Sequence, residues 1–177
     1  DSDVRYILGL HEDIAVGAAA GYAMSRRYHS HTDPDVLPLG VVNLHLAGGL
    51  GHGLGNLTDA RFSGTPLLVT AGNHSTDFQH EEPILSGDLV EMTDQFTKWS
   101  AEVKSVDALP EMLRRAVRTA LTPPTGPVFL ALPLDVISET TDASPARLGE
   151  ITTAGRGDGG SIERAASAVA EADEPVF

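Results

Sequence analysis

The chain has 177 residues, 41% of them hydrophobic, with 25 acidic against 12 basic side chains, a formal charge of −13 and no cysteine. That much apolar material serves one ordinary domain and the edge of a second. The lack of cysteine excludes disulfides and thiolate metal sites, and the acidic balance argues against a nucleic-acid partner, whose phosphates need a basic face.

In chain order, Val4–Leu10 reads as an apolar strand and Asp13–Tyr28 as a helix. His29–Pro38 is a polar loop. Leu39–Leu44 is a buried strand, followed by a glycine turn and a helix over roughly Leu50–Phe62. Pro66–Ala71 is another strand, Gly72–Asp88 a long loop, Leu89–Phe96 a helix and Lys98–Val103 extended. Asp107 is placed to cap a helix over Ala108–Leu121, whose apolar residues recur at helical spacing. Pro123-Pro124-Thr125-Gly126 ends that helix, and Pro127–Pro133 is a buried strand. Alternating strands and helices predict an α/β fold: a parallel sheet flanked by helices on both faces. From Ser138 to Gly160 the composition turns to Ser, Thr, Gly and Asp and reads as a linker, and Ile162–Glu171 as an alanine-rich helix. The expected organisation is a first domain over 1–137, a linker over 138–160 and the start of a second domain over 161–177. The chain begins at Asp1 and stops at Pro175-Val176-Phe177, so a fragment of a longer protein is expected.

Ligands of parallel sheets sit at the carboxyl ends of the strands. Glu12, His45 and Asn73 each follow a predicted strand, which places them on one rim. Glu12 stands between two apolar stretches, where an unpaired carboxylate is costly. It is either a helix-start carboxylate favoured by the macrodipole or a functional acid. His45 is either a core histidine bonded to backbone or a proton-handling group. The run Gly48-Gly49-Leu50-Gly51-His52-Gly53 permits close backbone approach, but it lacks a clean dinucleotide fingerprint. His29, His31, Asp33 and Asp35, like His74, His80, Glu81 and Glu82, read as solvated loop residues, so no metal site is expected. Gly157-Asp158-Gly159 reads as linker, and Trp99 as packing.

Taken in order, Leu10-His11-Glu12 with Gly17 and Gly21-Tyr22-Ala23 form the first part of a pattern. Asn43-Leu44-His45, Gly51 through Asn56, and Thr65-Pro66-Leu67-Leu68-Val69-Thr70-Ala71-Gly72 continue it. Lys98-Trp99-Ser100 and Pro124-Thr125-Gly126-Pro127-Val128 complete it. Together they resemble the pyrimidine-binding domain of thiamine-diphosphate enzymes over approximately Val4–Val136. Asn-Leu-His and Lys-Trp-Ser are most similar to the benzoylformate decarboxylase group, and acetolactate-synthase-like proteins come next.

The resemblance implies thiamine diphosphate as cofactor, with Mg2+ and the diphosphate held by a domain outside this fragment, and a first strand–helix unit missing from the sheet. It implies that Glu12 bonds the aminopyrimidine and favours the tautomer that takes the thiazolium proton. His45 is implied to position substrate and move protons. Gly49, Gly51 and, more weakly, Asn73 are implied near the cofactor, and Leu46, Ile84 and Leu85 as substrate-pocket walls. An apolar pocket would raise the Glu12 carboxyl. His52 stands where relatives often have Asn, and Leu46 where a close relative has Ser. The implied substrate is a 2-oxo acid, decarboxylated to an aldehyde or carboligated. The implied parent is a homodimer or homotetramer with sites at the subunit interface. A non-catalytic module with the same fold is the alternative from another class.

No apolar stretch approaches the ~20 residues of a membrane span, and no charged-then-apolar leader opens the chain. A cytoplasmic protein with no membrane partner is therefore expected. Lys98 and Lys104 are the only lysines. Self-repulsion at this charge is relieved by salt, which fits either a salt-rich cytoplasm or an ordinary acidic protein. On the first reading the melting temperature rises in molar salt; a melting curve without any gain removes it.

Overall fold

The computed structural model describes residues 4–30, 32, 33, 35–144, 147–149, 151 and 157–174. Its elements are α1 (Glu12–Ser30), β1 (Gly40–His45), α2 (Leu46–Phe62), β2 (Leu67–Asn73), α3 (Leu89–Asp94), β3 (Ser100–Glu102), α4 (Leu109–Leu121), β4 (Val128–Pro133), α5 (Leu134–Ser138) and α6 (Gly159–Glu171). The strands form one parallel sheet in the order β1-β2-β4-β3. Gly40 pairs with Leu67 and His45 with Gly72, while Asn73 pairs with Pro133. The carboxyl ends of β1, β2 and β4 are thus aligned at one rim.

A strand buried on both faces sends alternate side chains to opposite cores. Leu67, Val69 and Ala71 of β2, with Phe129 and Ala131 of β4, join Val16, Ala23, Leu50, Leu57 and Leu89 in one core. Leu68, Val128 and Leu130 face the other core, where Ala116 and Ala120 of α4 and Val136 of α5 cover them. The parallel sheet with helices on both faces is therefore as the sequence predicts.

Small residues decide how closely α1 approaches. A Cβ on Gly40 would stand 2.3 Å from the Ala19 carbonyl oxygen, so only glycine admits α1 against the edge of β1. Helices α1 and α2 meet through Gly17 and Gly53, whose added Cβ atoms would press on Asn56 and on Leu44 and Val16.

The Lys98-Trp99-Ser100 segment serves the fold. The Lys98 ammonium donates to the carbonyls of Thr119 and Thr122 at the C-terminus of α4, where a cation suits unsatisfied carbonyls. Arg115 lies over the Trp99 ring at 4.5 Å. The Ser100 hydroxyl bonds those of Thr93 and Thr97.

Four expectations need correction. Val4–Leu10 forms no strand: among the described residues no ladder bond reaches it, and Val4, Tyr6, Ile7, Leu8 and Leu10 are exposed. Apolar character alone does not make a strand, which exists only by pairing. The expected glycine turn before α2 is absent. The helix begins at Leu46 and the glycines lie inside it, because helix–helix contact compensates their low propensity. Asp107 does not cap α4; it sits in a 3-10 turn capped by the Ser105 side chain, and accepts from the Thr141 hydroxyl. Gly157-Asp158-Gly159 is not plain linker: the Asp158 carboxylate accepts from the Ser161 amide and starts α6 at Gly159. The expected strand start at residues 175–177 lies outside the described residues.

The long loop after β2 is fastened to α5 by Asp135, which accepts from the Thr76 amide at 3.1 Å and from its hydroxyl. The Thr76 hydroxyl bond is the main cause holding the Asp135 carboxyl below its usual value of 3.8, with backbone amides adding to it. A depressed folded pKa stabilises above the unfolded value and is lost as pH falls through the folded one. Protection of the Thr76 amide, its exchange measured relative to the intrinsic rate at each pH, is therefore expected to fall as pH drops below about 4, and the Asp135→Asn variant loses that acid step. Phe129 is fully buried between the sheet and α1–α3. Urea unfolding of Phe129→Ala is expected to show a loss of about 3–5 kcal/mol.

Candidate active site

Glu12 is the first residue of α1, at the rim set by the strand ends. Its place is determined one residue later. Asp13 accepts the Asn56 amide at 2.8 Å through Oδ1, and its carbonyl accepts from Asn56 Nδ2 at 2.8 Å. This reciprocal pair ties the first turn of α1 to the third turn of α2. Along α2, Gly49, Gly53 and Asn56 recur at helical spacing and form the face that receives α1. A Cβ on Gly49 would lie 3.1 Å from Glu12 Oε1, so the glycine keeps a side chain away from that carboxylate oxygen.

The other oxygen is engaged. His52 Nδ1 donates to Glu12 Oε2 at 3.2 Å, and the His11 ring stacks on His52 with centroids 5.5 Å apart. The Glu12 side chain is 33% exposed. Its carboxyl is held below the usual range, first by a backbone amide hydrogen bond at its own position and then by the His52 hydrogen bond, against a smaller opposing desolvation. The expectation of a raised carboxyl in an apolar pocket is therefore corrected for this chain. A helix start supplies amide donors, and the flanking apolar run Val4–Leu10 turns outward instead of walling the acid in.

The Asn43-Leu44-His45 motif divides its tasks. The Asn43 side-chain Oδ1 accepts from the Thr70 hydroxyl at 2.8 Å, bracing β1 against β2. Leu44 is buried in the core shared with α1 and α2. His45 ends β1, exposed at the rim, with its backbone extended and its ring making no cap bond to α2. Leu46 follows in the left-handed region at φ 52°. Such a conformation costs a branched residue of order 1–3 kcal/mol and persists where surrounding contacts enforce it. The enforcing contact comes from the long loop. Leu85 is also left-handed, at φ 65°, and its carbonyl accepts from the Ala47 amide at 3.3 Å. A Cβ on Gly48 would meet Leu85 Cδ2 at 3.1 Å. The loop carrying Ile84 and Leu85 is thus docked on the junction of β1 and α2, beside His45.

Two candidates are placed differently from expectation. Asn73 is buried, and its amide is bonded at both ends: Nδ2 donates to Glu102 Oε2 at 2.6 Å across β4, and Oδ1 accepts the His74 amide. Through one Nδ2 hydrogen it braces β2 against the edge strand β3. Gly51 is exposed, and an added Cβ would meet only Met92 Cε, at 3.8 Å. Among the described residues no close approach requires glycine there. Ile84 is exposed, while its carbonyl bonds the His74 ring at 3.0 Å.

The sequence reading missed His52 as a partner of Glu12. The available signal was its spacing: it lies three residues after Gly49 and four before Asn56, on the side of α2 turned toward α1. Among the described residues, His11, Glu12 and His52 are the one grouping of three potential metal ligands. His31 lies outside the described residues.

The arrangement offers an ionised carboxylate with Oε1 beside a glycine, an exposed imidazole at a strand end, and a loop with an aliphatic side chain docked next to that strand end. Known proteins share this chain's pattern. The benzoylformate decarboxylase of Pseudomonas aeruginosa is 38% identical over 134 residues, covering 75% of this chain and 24% of its own length. The mitochondrial acetolactate synthase of Schizosaccharomyces pombe is 30% identical over 132 residues, covering 75% of this chain and 18% of its own length. The chain therefore spans about a quarter or less of these relatives. Among solved structures, the benzoylformate decarboxylase of Polynucleobacter necessarius superposes with a TM-score of 0.82 at 31% identity, covering 97% of this chain and 30% of that one. The thiamine diphosphate-dependent 4-hydroxybenzoylformate decarboxylase of Rhodococcus jostii RHA1 gives 0.77 at 29% identity, covering 99% and 32%. Residues 1–98 match the family model described as thiamine pyrophosphate enzyme, N-terminal TPP binding domain. With more than half of its residues matched, on a fold and rim of this geometry, the chain belongs to the thiamine pyrophosphate enzyme family and carries its N-terminal cofactor-binding domain.

Proposed function

We propose that this chain is the pyrimidine-binding part of an enzyme that decarboxylates a 2-oxo acid. The carrying observation is Glu12: an ionised carboxylate at the sheet rim, with one oxygen on His52 and the other beside Gly49, where a Cβ would intrude. The residues present fit an aminopyrimidine. A flat ring needs a side-chain-free approach, which Gly49 leaves, and a ring nitrogen bearing a proton needs an anionic acceptor, which Oε1 supplies.

Thiamine diphosphate, when bound, supplies the electron sink that a 2-oxo acid needs to lose carbon dioxide. Glu12 holds the pyrimidine ring nitrogen and biases where that ring keeps its proton. His45 stands at the same rim with no cap bond to hold it and exchanges a proton at a substrate oxygen. Leu46 and Leu85 line the junction beside it and exclude water. Asn73 holds Glu102 through one Nδ2 hydrogen and is the weaker cofactor-binding candidate. On this reading Mg2+ and the diphosphate are held by another domain of the parent protein.

The exposed apolar run Val4–Leu10 supports a homo-oligomeric parent, because side chains such as Leu10, at 94% exposure, gain by being covered. Among the described residues no helix is long and apolar enough to cross a membrane. A cytoplasmic location remains part of the proposal, as does the division into a first domain over 1–137, a linker over 138–160 and a further domain from 161. The last finds support in α6, which is exposed along its length, as a helix from another unit would be.

Acetolactate-synthase-like carboligation is the second reading, favoured by the 30% identity to the fission-yeast enzyme. His45 favours decarboxylation. In the full-length parent, Glu12→Gln is expected to lower cofactor-dependent turnover by at least ~10²-fold. Unchanged turnover would remove the role of Glu12, whereas a parent with no cofactor-dependent turnover at all would be a non-catalytic binding module. Product analysis with benzoylformate and with pyruvate separates the two branches: benzaldehyde marks the first and acetolactate the second.

A further inference from the structure

We propose that His11, Glu12 and His52 form a binding site for a divalent transition-metal ion of the zinc class. One ligand atom from each lies within 4.8 Å of the others. Two imidazoles and a carboxylate are a donor set that zinc accepts, with water completing a tetrahedron. Metal–ligand distances of about 2.0–2.1 Å at tetrahedral angles put neighbouring ligand atoms roughly 3.3 Å apart. His52 Nδ1 and Glu12 Oε2 already stand 3.2 Å apart, so an ion replaces the shared proton without moving either group far.

His11 completes the set by a change of rotamer. Its Nδ1 now accepts only the Asp13 amide, at 3.2 Å, and its ring is exposed. The stacked contact already holds that ring beside His52. The positive end of α1 opposes a cation weakly, whereas the formal charge of −13 raises the local concentration of cations. Hard cations such as magnesium, which prefer oxygen ligands, are disfavoured by the two imidazoles.

A metal on Glu12 Oε2 draws charge from the carboxylate and weakens any hydrogen bond that Oε1 accepts. On the reading that Glu12 holds the aminopyrimidine, zinc therefore raises the cofactor concentration the parent requires. The binding site itself does not depend on that reading.

Calorimetric titration of this chain with zinc chloride is expected to show one equivalent bound, and magnesium chloride no saturable heat. His52→Gln and His11→Gln, both at exposed positions, are expected to weaken zinc binding at least ~10-fold while their melting curves stay unchanged. His74→Gln, outside the cluster, is expected to bind as the parent chain does. Saturation absent up to about 1 mM zinc, or cluster variants binding like the unaltered chain, overturns the site. Zinc binding that persists in the full-length parent without raising its cofactor requirement counts against the Glu12 role and leaves the metal site standing.

Discussion

The site depends on the clamp between Asp13 and Asn56. A carboxylate at a helix start can point in many directions, and its neighbour removes that freedom. Asp13 spends both its side chain and its carbonyl on Asn56, so the first turn of α1 is set against α2 to within hydrogen-bond tolerance. The cost of ordering Glu12 is met largely by groups that never touch a ligand. The glycines of α2 make the clamp possible, since bulkier residues at Gly49 or Gly53 would push the helices apart.

The electrostatics of Glu12 follow from the same placement. A helix start and a hydrogen-bonded imidazole both favour the anion, and in this chain they outweigh partial burial. A lowered carboxyl pKa suits an acceptor toward a protonated ring nitrogen, and suits a metal equally well. A proton donor would need the opposite environment.

Strain on the other side of the rim has a similar origin. Leu46 and Leu85 are both held in the left-handed region and joined through the Ala47 amide. Neither would adopt that backbone alone. The junction after β1 and the long loop enforce each other, and the loop is fastened in turn by Asp135 at Thr76. His45 is thereby presented at the end of a rigid strand, beside a braced loop.

Unbroken apolar stretches in β2 and β4 and the helical spacing in α4 decided the two-faced parallel sheet from sequence alone, because a strand buried on both faces is apolar at nearly every position. The order of local motifs likewise determined the family and put Glu12 and His45 on one rim. Tertiary structure decided the rest. Val4–Leu10 has a strand's composition without a partner, and pairing is not written in composition. Asn73 follows a strand as a ligand residue would, yet a residue 29 positions away takes one hydrogen of its amide. His52, 40 residues from Glu12, becomes its partner only once α1 and α2 are packed. Periodicity is a local property that a sequence displays directly; the partner of a polar group is a long-range one, determined only when the chain has closed on itself.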